Sequence, residues 1–291
     1  MDVEYGEIDV KPATFVRRQP IVSYFALAYA ISWAGSIVVL GPKFIRGEHY
    51  NFTETLLSLF IMLAGPSAAG IGLTRVVDGK QGIRELLSRM RQWQVSLGWY
   101  AVALLTTPFV LLAVLLLLSE LVSPQFDPNF LLVGIAYGIC AGYLEEIGWM
   151  GYAFRKLILK HNALTASLIL GALHGTWHLT ADYLGSVGHM GIYWLPHFLV
   201  QYVAAMTLTR ILIVWVYTKT RSVLLAQLFH ASSTGFLVAL EPVAMTPLQA
   251  TLADASYVAA LFVMVTLLLV TNGKTLVQGA VYWQATSKAR E

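Results

Sequence analysis

The sequence predicts an all-α, polytopic integral membrane protein in which eight transmembrane helices surround a polar cavity. Of its 291 residues, 57% are hydrophobic and 12% are charged, whereas soluble proteins carry about 25% charged residues. Eight apolar stretches approach the length of about 20 residues at which a helix crosses a bilayer, and basic residues alternate between the segments that connect them. This composition excludes an ordinary soluble enzyme, a disordered chain and a nucleic-acid-binding protein.

The eight predicted spans form one membrane domain, residues 21–271, between a tail at 1–20 and a tail at 272–291. The first apolar run starts too late and continues for too long to be a signal peptide. The third span is the most apolar, whereas polar residues interrupt the fourth, fifth and seventh. The spans are predicted at 21–41, 56–76, 98–119, 130–153, 163–184, 192–217, 222–240 and 252–271.

The lysine and arginine residues indicate the orientation of these spans. The only basic residues in the loops on one side are Lys43 and Arg46. Arg210 lies within the sixth predicted span, and every other Lys and Arg is assigned to the opposite side. Basic segments stay in the cytoplasm, so both termini are predicted to be cytoplasmic. In residues 80–93 apolar side chains recur at helical spacing and the basic side chains lie largely elsewhere on the helix. This pattern predicts an amphipathic helix on the cytoplasmic leaflet or a solvated helix in a loop.

Two acidic residues, Glu145 and Glu146, are the only ones predicted to lie well inside a span, since Asp182 and Asp254 stand at span ends and are assigned to outer segments. Each costs about 2.5–3.5 kcal/mol at the centre of a helix that faces lipid. Their presence therefore implies a polar interior, a water-filled cavity or a shared proton. Adjacent positions on a helix differ by about 100° in direction, so we expect one carboxylate to face a reaction centre and the other to orient a neighbouring helix.

Three histidines are predicted at a similar depth, because His174 and His178 share one face of the fifth span and His230 lies in the seventh. A carboxylate such as Glu145 and an imidazole that share one water can remove its proton. A second imidazole and a nearby hydroxyl can stabilise an oxyanion. His230 and Thr234, four residues apart on one helix, are the candidates for that pair.

The same groups also match the ligands of a divalent metal such as zinc, with a water in the remaining position. The set would then be Glu145, His174, His178 and His230. The chain lacks an HExxH motif, and its single cysteine, Cys140, excludes a cysteine-based cluster. We expect a mechanism without a cofactor, and a metal-dependent one stays the alternative.

Three short segments on separate spans carry a family resemblance. They are Glu145-Glu146-Ile147-Gly148-Trp149-Met150, His174-Gly175-Thr176-Trp177-His178 and His230-Ala231-Ser232-Ser233-Thr234. In this order they resemble the motifs EExxxR, FxxxH and HxxxN of prokaryotic members of the CPBP family of intramembrane proteases, also called the CAAX protease and bacteriocin-processing family.

The resemblance implies a role for each matching residue. Glu145 corresponds to the family's water-activating glutamate and His178 to its partner histidine. His230 corresponds to the oxyanion-stabilising histidine, and Thr234 stands where the family has asparagine. Glu146 is expected in a supporting role.

Two positions depart from the family motifs, because Met150 replaces the arginine and His174 replaces the phenylalanine. His174 could then be a ligand, a base or a supporting donor. Trp149, beside the acidic pair, is expected to pack between helices or to form the wall of a cavity.

The resemblance further implies a membrane-associated or lipidated peptide or protein as the substrate, at the cytoplasmic leaflet of a prokaryotic inner membrane. The expected activity is an intramembrane endopeptidase. The alternatives are a non-catalytic membrane scaffold or bacteriocin-immunity factor, and a proton- or metal-coupled transporter. A transporter of that kind is normally built from paired repeats, and the sequence shows no internal repeat.

Overall fold

The fold is taken from a computed structural model, which describes residues 12–274 and 276. The first eleven residues of the predicted N-terminal tail and most of the predicted C-terminal tail lie outside the described residues. All the regular structure in residues 12–274 is helical. The first seven α-helices are α1 Pro12–Arg18, α2 Pro20–Arg46, α3 Phe52–Leu73, α4 Gly79–Met90, α5 Leu97–Leu121, α6 Leu132–Gly148 and α7 Phe154–Leu157.

The remaining helices follow without any long connection. Short π-helical turns join α3 to α4, α6 to α7, and the tenth helix to the eleventh, so that the two helices of each pair run on as one continuous segment. These helices are α8 Ala163–Trp177, α9 Leu179–Met190, α10 Trp194–Phe198, α11 Met206–Thr220, α12 Val223–Ala239 and α13 Pro247–Asn272.

Five helical segments are long and apolar enough to cross a membrane, which confirms the prediction of an all-α polytopic membrane protein. Three other predicted spans coincide with the shorter helices α6, α8 and α12. The total of eight spans stays a prediction. The five long segments are Pro20–Arg46, Phe52–Met90, Leu97–Leu121, Leu179–Thr220 and Pro247–Asn272.

The fifth and sixth predicted spans are less regular than their hydropathy suggests. The fifth is interrupted at His178, where α8 ends and α9 begins, and the His178 amide donates to the Gly175 carbonyl three residues earlier at 3.2 Å. The sixth follows a turn at Gly191, which has a φ of 54°. Such a φ is accessible to glycine at little cost. A hydropathy profile averages over these local turns and therefore misses them.

The predicted amphipathic helix is present as α4, and the π-helical turn Thr74–Asp78 joins it directly to α3. On its inner face Leu86 is buried. Arg89 donates to the Gly151 carbonyl and to the Tyr217 hydroxyl, both at 3.1 Å. Helix α4 thus packs against the turn that follows the acidic pair.

Glycines along α6 allow α12 to approach closely. A Cβ atom added at Gly138 would lie 2.2 Å from the Ala231 carbonyl oxygen, and one added at Gly142 would lie 2.4 Å from the Gln227 carbonyl oxygen. Small residues permit such backbone contact between membrane helices. This contact brings the acidic end of α6 beside the middle of α12.

A second pair of glycines brings α8 against α11 and the π-helical turn that precedes it. A Cβ atom added at Gly171 would lie 2.6 Å from Thr207 Cα, and one added at Gly175 would lie 2.4 Å from the Tyr202 carbonyl oxygen. The close approach carries His174 of α8 next to Arg210 of α11. The fold therefore converges four helices on one polar centre.

Candidate active site

The polar centre consists of five ionisable side chains from four helices. They are almost completely removed from solvent, each with 4% or less of its surface exposed. A buried charge is costly unless it has a partner, so the contacts within the cluster determine what it can do. Its members are Glu145 and Glu146 of α6, His174 of α8, Arg210 of α11 and His230 of α12.

Glu145 makes direct contacts through one carboxylate oxygen. Its Oε2 lies 2.7 Å from Nε2 of His174 and accepts a hydrogen bond from Nε1 of Trp149 at 3.1 Å. Nε2 of His230 lies 3.9 Å from the same oxygen. Trp149, fully buried, is thus a hydrogen-bond donor to the carboxylate as well as a packing residue.

Glu146 has different partners, as the angular separation of adjacent helical positions predicts. Nη1 of Arg210 donates to its Oε2 at 2.7 Å, and Nδ1 of His230 lies 2.6 Å from its Oε1. An ionised carboxylate only accepts hydrogen bonds, so Nδ1 of His230 carries the proton. Glu146 therefore holds the His230 ring in place, and the other ring nitrogen is directed towards Glu145.

His178 lies at the junction of α8 and α9, beside the cluster. Its Nδ1 donates to the carbonyl oxygen of His174 at 3.1 Å, which leaves Nε2 with a free lone pair when the ring is neutral. Glu145, His174 and His178 each offer one atom that could bind a metal, a carboxylate oxygen or a ring nitrogen, and these three atoms lie within 4.8 Å of one another. The direct hydrogen bond to Glu145, however, comes from His174, whereas the sequence resemblance pairs Glu145 with His178.

A cavity of about 30 Å³ adjoins the cluster. Its volume is sufficient for a water molecule, which needs roughly 10–15 Å³ of this kind of space. His230 and Thr234 both line it, as their spacing on one helix predicts, and so do His174 and Arg210. The Nε atom of Arg210 is buried without a hydrogen-bond partner among the described residues.

Arg210 is the site residue to which the sequence analysis gave no role. The available signal was its position, since it lies well inside the predicted span 192–217, whereas Arg75 stands at the very end of the span 56–76. A hydropathy profile does not show which helix face it occupies or which acid it meets. Met150, which stands where the family motif has arginine, is fully buried. The guanidinium of this centre instead comes from Arg210 of α11.

A third acid, Asp182, is buried as well, beyond the two that are predicted inside a span. Asp182 is 7% exposed. It accepts hydrogen bonds from Nε1 of Trp194 at 2.7 Å and from the Ser186 hydroxyl at 2.9 Å. These donors come from α9 and from the start of α10, and they satisfy a carboxylate that hydropathy alone assigns to the surface.

The arrangement of His174 does not match that of a metal ligand. A metal-bound histidine usually donates its second ring N–H to a carboxylate or a carbonyl group. The second nitrogen of His174, Nδ1, instead faces the donor Nη2 of Arg210 at 2.9 Å. The 2.7 Å between His174 Nε2 and Glu145 Oε2 is a hydrogen-bond distance.

The fold and the centre together define a class: a polytopic all-α membrane protein with a buried glutamate–histidine site. A family model described as type II CAAX prenyl endopeptidase Rce1-like matches residues 127–236, which include all three motif segments. The CAAX prenyl protease 2 of Methanococcus maripaludis is 23% identical over 232 residues, covering 72% of this chain and 84% of that protein. These matches agree with the resemblance of the three motif segments to the CPBP family.

Proposed function

We propose that this protein is an intramembrane endopeptidase that hydrolyses a peptide bond with a water activated by Glu145 and His178. The proposal is supported by one observation above all. A buried carboxylate and a ring nitrogen of His178 lie within 4.8 Å of each other. A water held between them would lie within hydrogen-bond reach, about 2.6–3.2 Å, of both proton acceptors, as removal of its proton requires.

In the proposed reaction the water lies between the Glu145 carboxylate and Nε2 of His178. One of them accepts a proton as the water oxygen forms a bond to the carbonyl carbon of the substrate. The tetrahedral intermediate then collapses, the C–N bond breaks, and the same proton passes to the leaving amine. No covalent enzyme intermediate is needed, so no serine or cysteine nucleophile is required.

His230 and Thr234 are proposed to stabilise the oxyanion. With a proton on both ring nitrogens, His230 would donate from Nε2 while Glu146 holds Nδ1 at 2.6 Å. A donor of this kind contributes roughly 10²–10³ to the rate.

The proposed substrate is a prenylated protein or peptide with a C-terminal CAAX sequence, since the relative from Methanococcus maripaludis is named as a CAAX prenyl protease. A lipid anchor of the substrate would partition into the bilayer beside the enzyme. The proposed location is a prokaryotic inner membrane with both termini in the cytoplasm, which places the reaction at the cytoplasmic leaflet. We propose that catalysis uses no metal or other cofactor.

The test is mass spectrometry of a farnesylated CAAX peptide incubated with the purified full-length protein in bilayers. The same peptide without the farnesyl group is the substrate control. We expect release of the last three residues from the farnesylated peptide alone, and loss of that release in Glu145→Gln and His178→Gln. Equal product from the wild type and both variants would contradict the mechanism, and no product from the wild type would contradict the substrate class.

A further inference from the structure

Both ring nitrogens of His174 are engaged by buried partners. Nδ1 lies 2.9 Å from Nη2 of Arg210, and Nε2 lies 2.7 Å from Oε2 of Glu145. A guanidinium group has only N–H donors and does not lose its proton in proteins. Nδ1 of His174 must therefore accept, and a neutral ring then carries its single proton on Nε2.

We propose that Arg210 is a positioning residue that holds His174 as the Nε2–H tautomer, so that His174 donates a hydrogen bond to Glu145 and is withdrawn from metal binding. The consequence for catalysis rests on the proposed function, whereas the tautomer does not. With its Nε2 proton directed at Glu145, His174 cannot accept a proton from the water. The task of base passes to Glu145 and to Nε2 of His178.

Arg210 is itself held firmly enough to impose this tautomer. It is 1% exposed, and its Nη1 donates to Oε2 of Glu146 at 2.7 Å. The planar guanidinium presents its donors in a fixed geometry. One end of the fork is thereby anchored on Glu146 while the other is directed at His174 Nδ1.

The same geometry bears on the alternative set of metal ligands. Coordination through Nε2 of His174 would require the proton to move to Nδ1, where it would face a donor of Arg210 at 2.9 Å. His178 differs, because its Nδ1 donates to a carbonyl oxygen and no residue that the structure describes is hydrogen-bonded to its Nε2. Between His174 in α8 and His178 at the end of α8, it is His178 that has the hydrogen-bonding pattern of a metal ligand or a base.

The first test is solid-state NMR of the wild-type protein in bilayers, with ¹⁵N in its histidine rings. His174→Gln identifies the signals of His174 by their loss. We expect a protonated Nε2 and an unprotonated Nδ1 for His174. A protonated Nδ1 in the wild type would overturn the proposal, and this measurement needs no variant of Arg210 to fold.

The second test asks whether Arg210 is the cause. Arg210→Met combined with Glu146→Gln removes both members of the ion pair, because loss of one alone leaves an unpaired buried charge. Nε2–H still donates to Glu145 in this variant, so we expect its signal to persist and Nδ1, no longer opposed by a guanidinium donor, to show a protonated signal as well. An Nδ1 that stays unprotonated in the folded double variant would overturn the role of Arg210.

A third arm adds one equivalent of zinc chloride to the labelled wild-type protein. The His174 signals are expected to stay unchanged, and a shift of its Nε2 signal to that of a metal-bound nitrogen would overturn the proposal. None of the three arms depends on cleavage. Failure of the proposed function would therefore appear in the peptide assay alone, separately from the tautomer.

Discussion

Oε1 of Glu146 lies 2.6 Å from Nδ1 of His230, and this contact joins the first motif to the third across 84 residues of sequence. Because the backbones of α6 and α12 approach closely at glycines, the Glu146 carboxylate reaches the His230 ring directly. The contact leaves the other nitrogen of His230 facing Glu145 at 3.9 Å. Glu146 is thus bonded to His230, and Glu145 is the acid proposed to activate the water.

Trp149→Phe is expected to lower the rate of peptide cleavage by about tenfold, because the substitution removes the donor to Oε2 of Glu145 and keeps an aromatic ring. Trp177→Phe is the matched control. Trp177 is equally buried, but its Nε1 has no hydrogen-bond partner among the described residues. Initial rates on the farnesylated peptide measure both variants. Equal losses would show that the indole N–H of Trp149 has no role.

Glu146→Ala is expected to lower the free energy of unfolding by about 3–5 kcal/mol, because the buried guanidinium of Arg210 loses its partner. Asp78→Ala provides the comparison at a partly exposed ion pair, where Asp78 and Lys156 are 2.6 Å apart. Such a pair contributes about 0–1 kcal/mol. Denaturant unfolding in detergent compares the two. A similar cost for both would contradict the assigned importance of the buried pair.

Gly142→Ala is expected to lower the melting temperature, since its Cβ would lie 2.4 Å from the Gln227 carbonyl oxygen and force α6 and α12 apart. Overpacking of this kind costs about 1–3 kcal/mol. Gly72→Ala in α3 is the control, because among the described residues no atom from another helix lies within 4 Å of the added carbon. Alanine at this second position should be neutral or stabilising. Unfolding of Gly142→Ala at the wild-type temperature would contradict the close contact.

Thr234→Val is expected to reduce kcat by roughly 10²–10³ with little change in KM, because the hydroxyl is proposed to bind the oxyanion only in the transition state. Thr234→Ser retains a hydroxyl and should recover most of the rate. Steady-state kinetics with the farnesylated peptide separates the two constants. A rise in KM alone, or no recovery in Thr234→Ser, would contradict the assigned role.

Much of this architecture could be predicted because hydropathy records long apolar helices directly. The acidic pair and the three histidines were recognisable because ionisable groups are rare inside predicted spans, and the structure brings Glu145, His174 and His230 into contact. The roles of these residues in catalysis remain predictions.

Other features depend on contacts between distant parts of the chain. The pairing of Arg210 with Glu146 requires the packing of α8, α11 and α6, which no local pattern encodes. The break at His178 and the burial of Asp182 arise from turns and from donors that hydropathy averages away. His174 was noted as a departure from the motif, but its two opposite partners become visible only when the helices are assembled.

The most direct test of the account is the cleavage rate of Glu145→Gln on the farnesylated CAAX peptide, measured by mass spectrometry beside the wild type. Glu120→Gln makes the same chemical change at an exposed acid outside the site. We predict that Glu145→Gln stays folded and releases no detectable tripeptide, while Glu120→Gln cleaves at the wild-type rate. Cleavage by a folded Glu145→Gln at the rate of Glu120→Gln would contradict the claim that Glu145 activates the water.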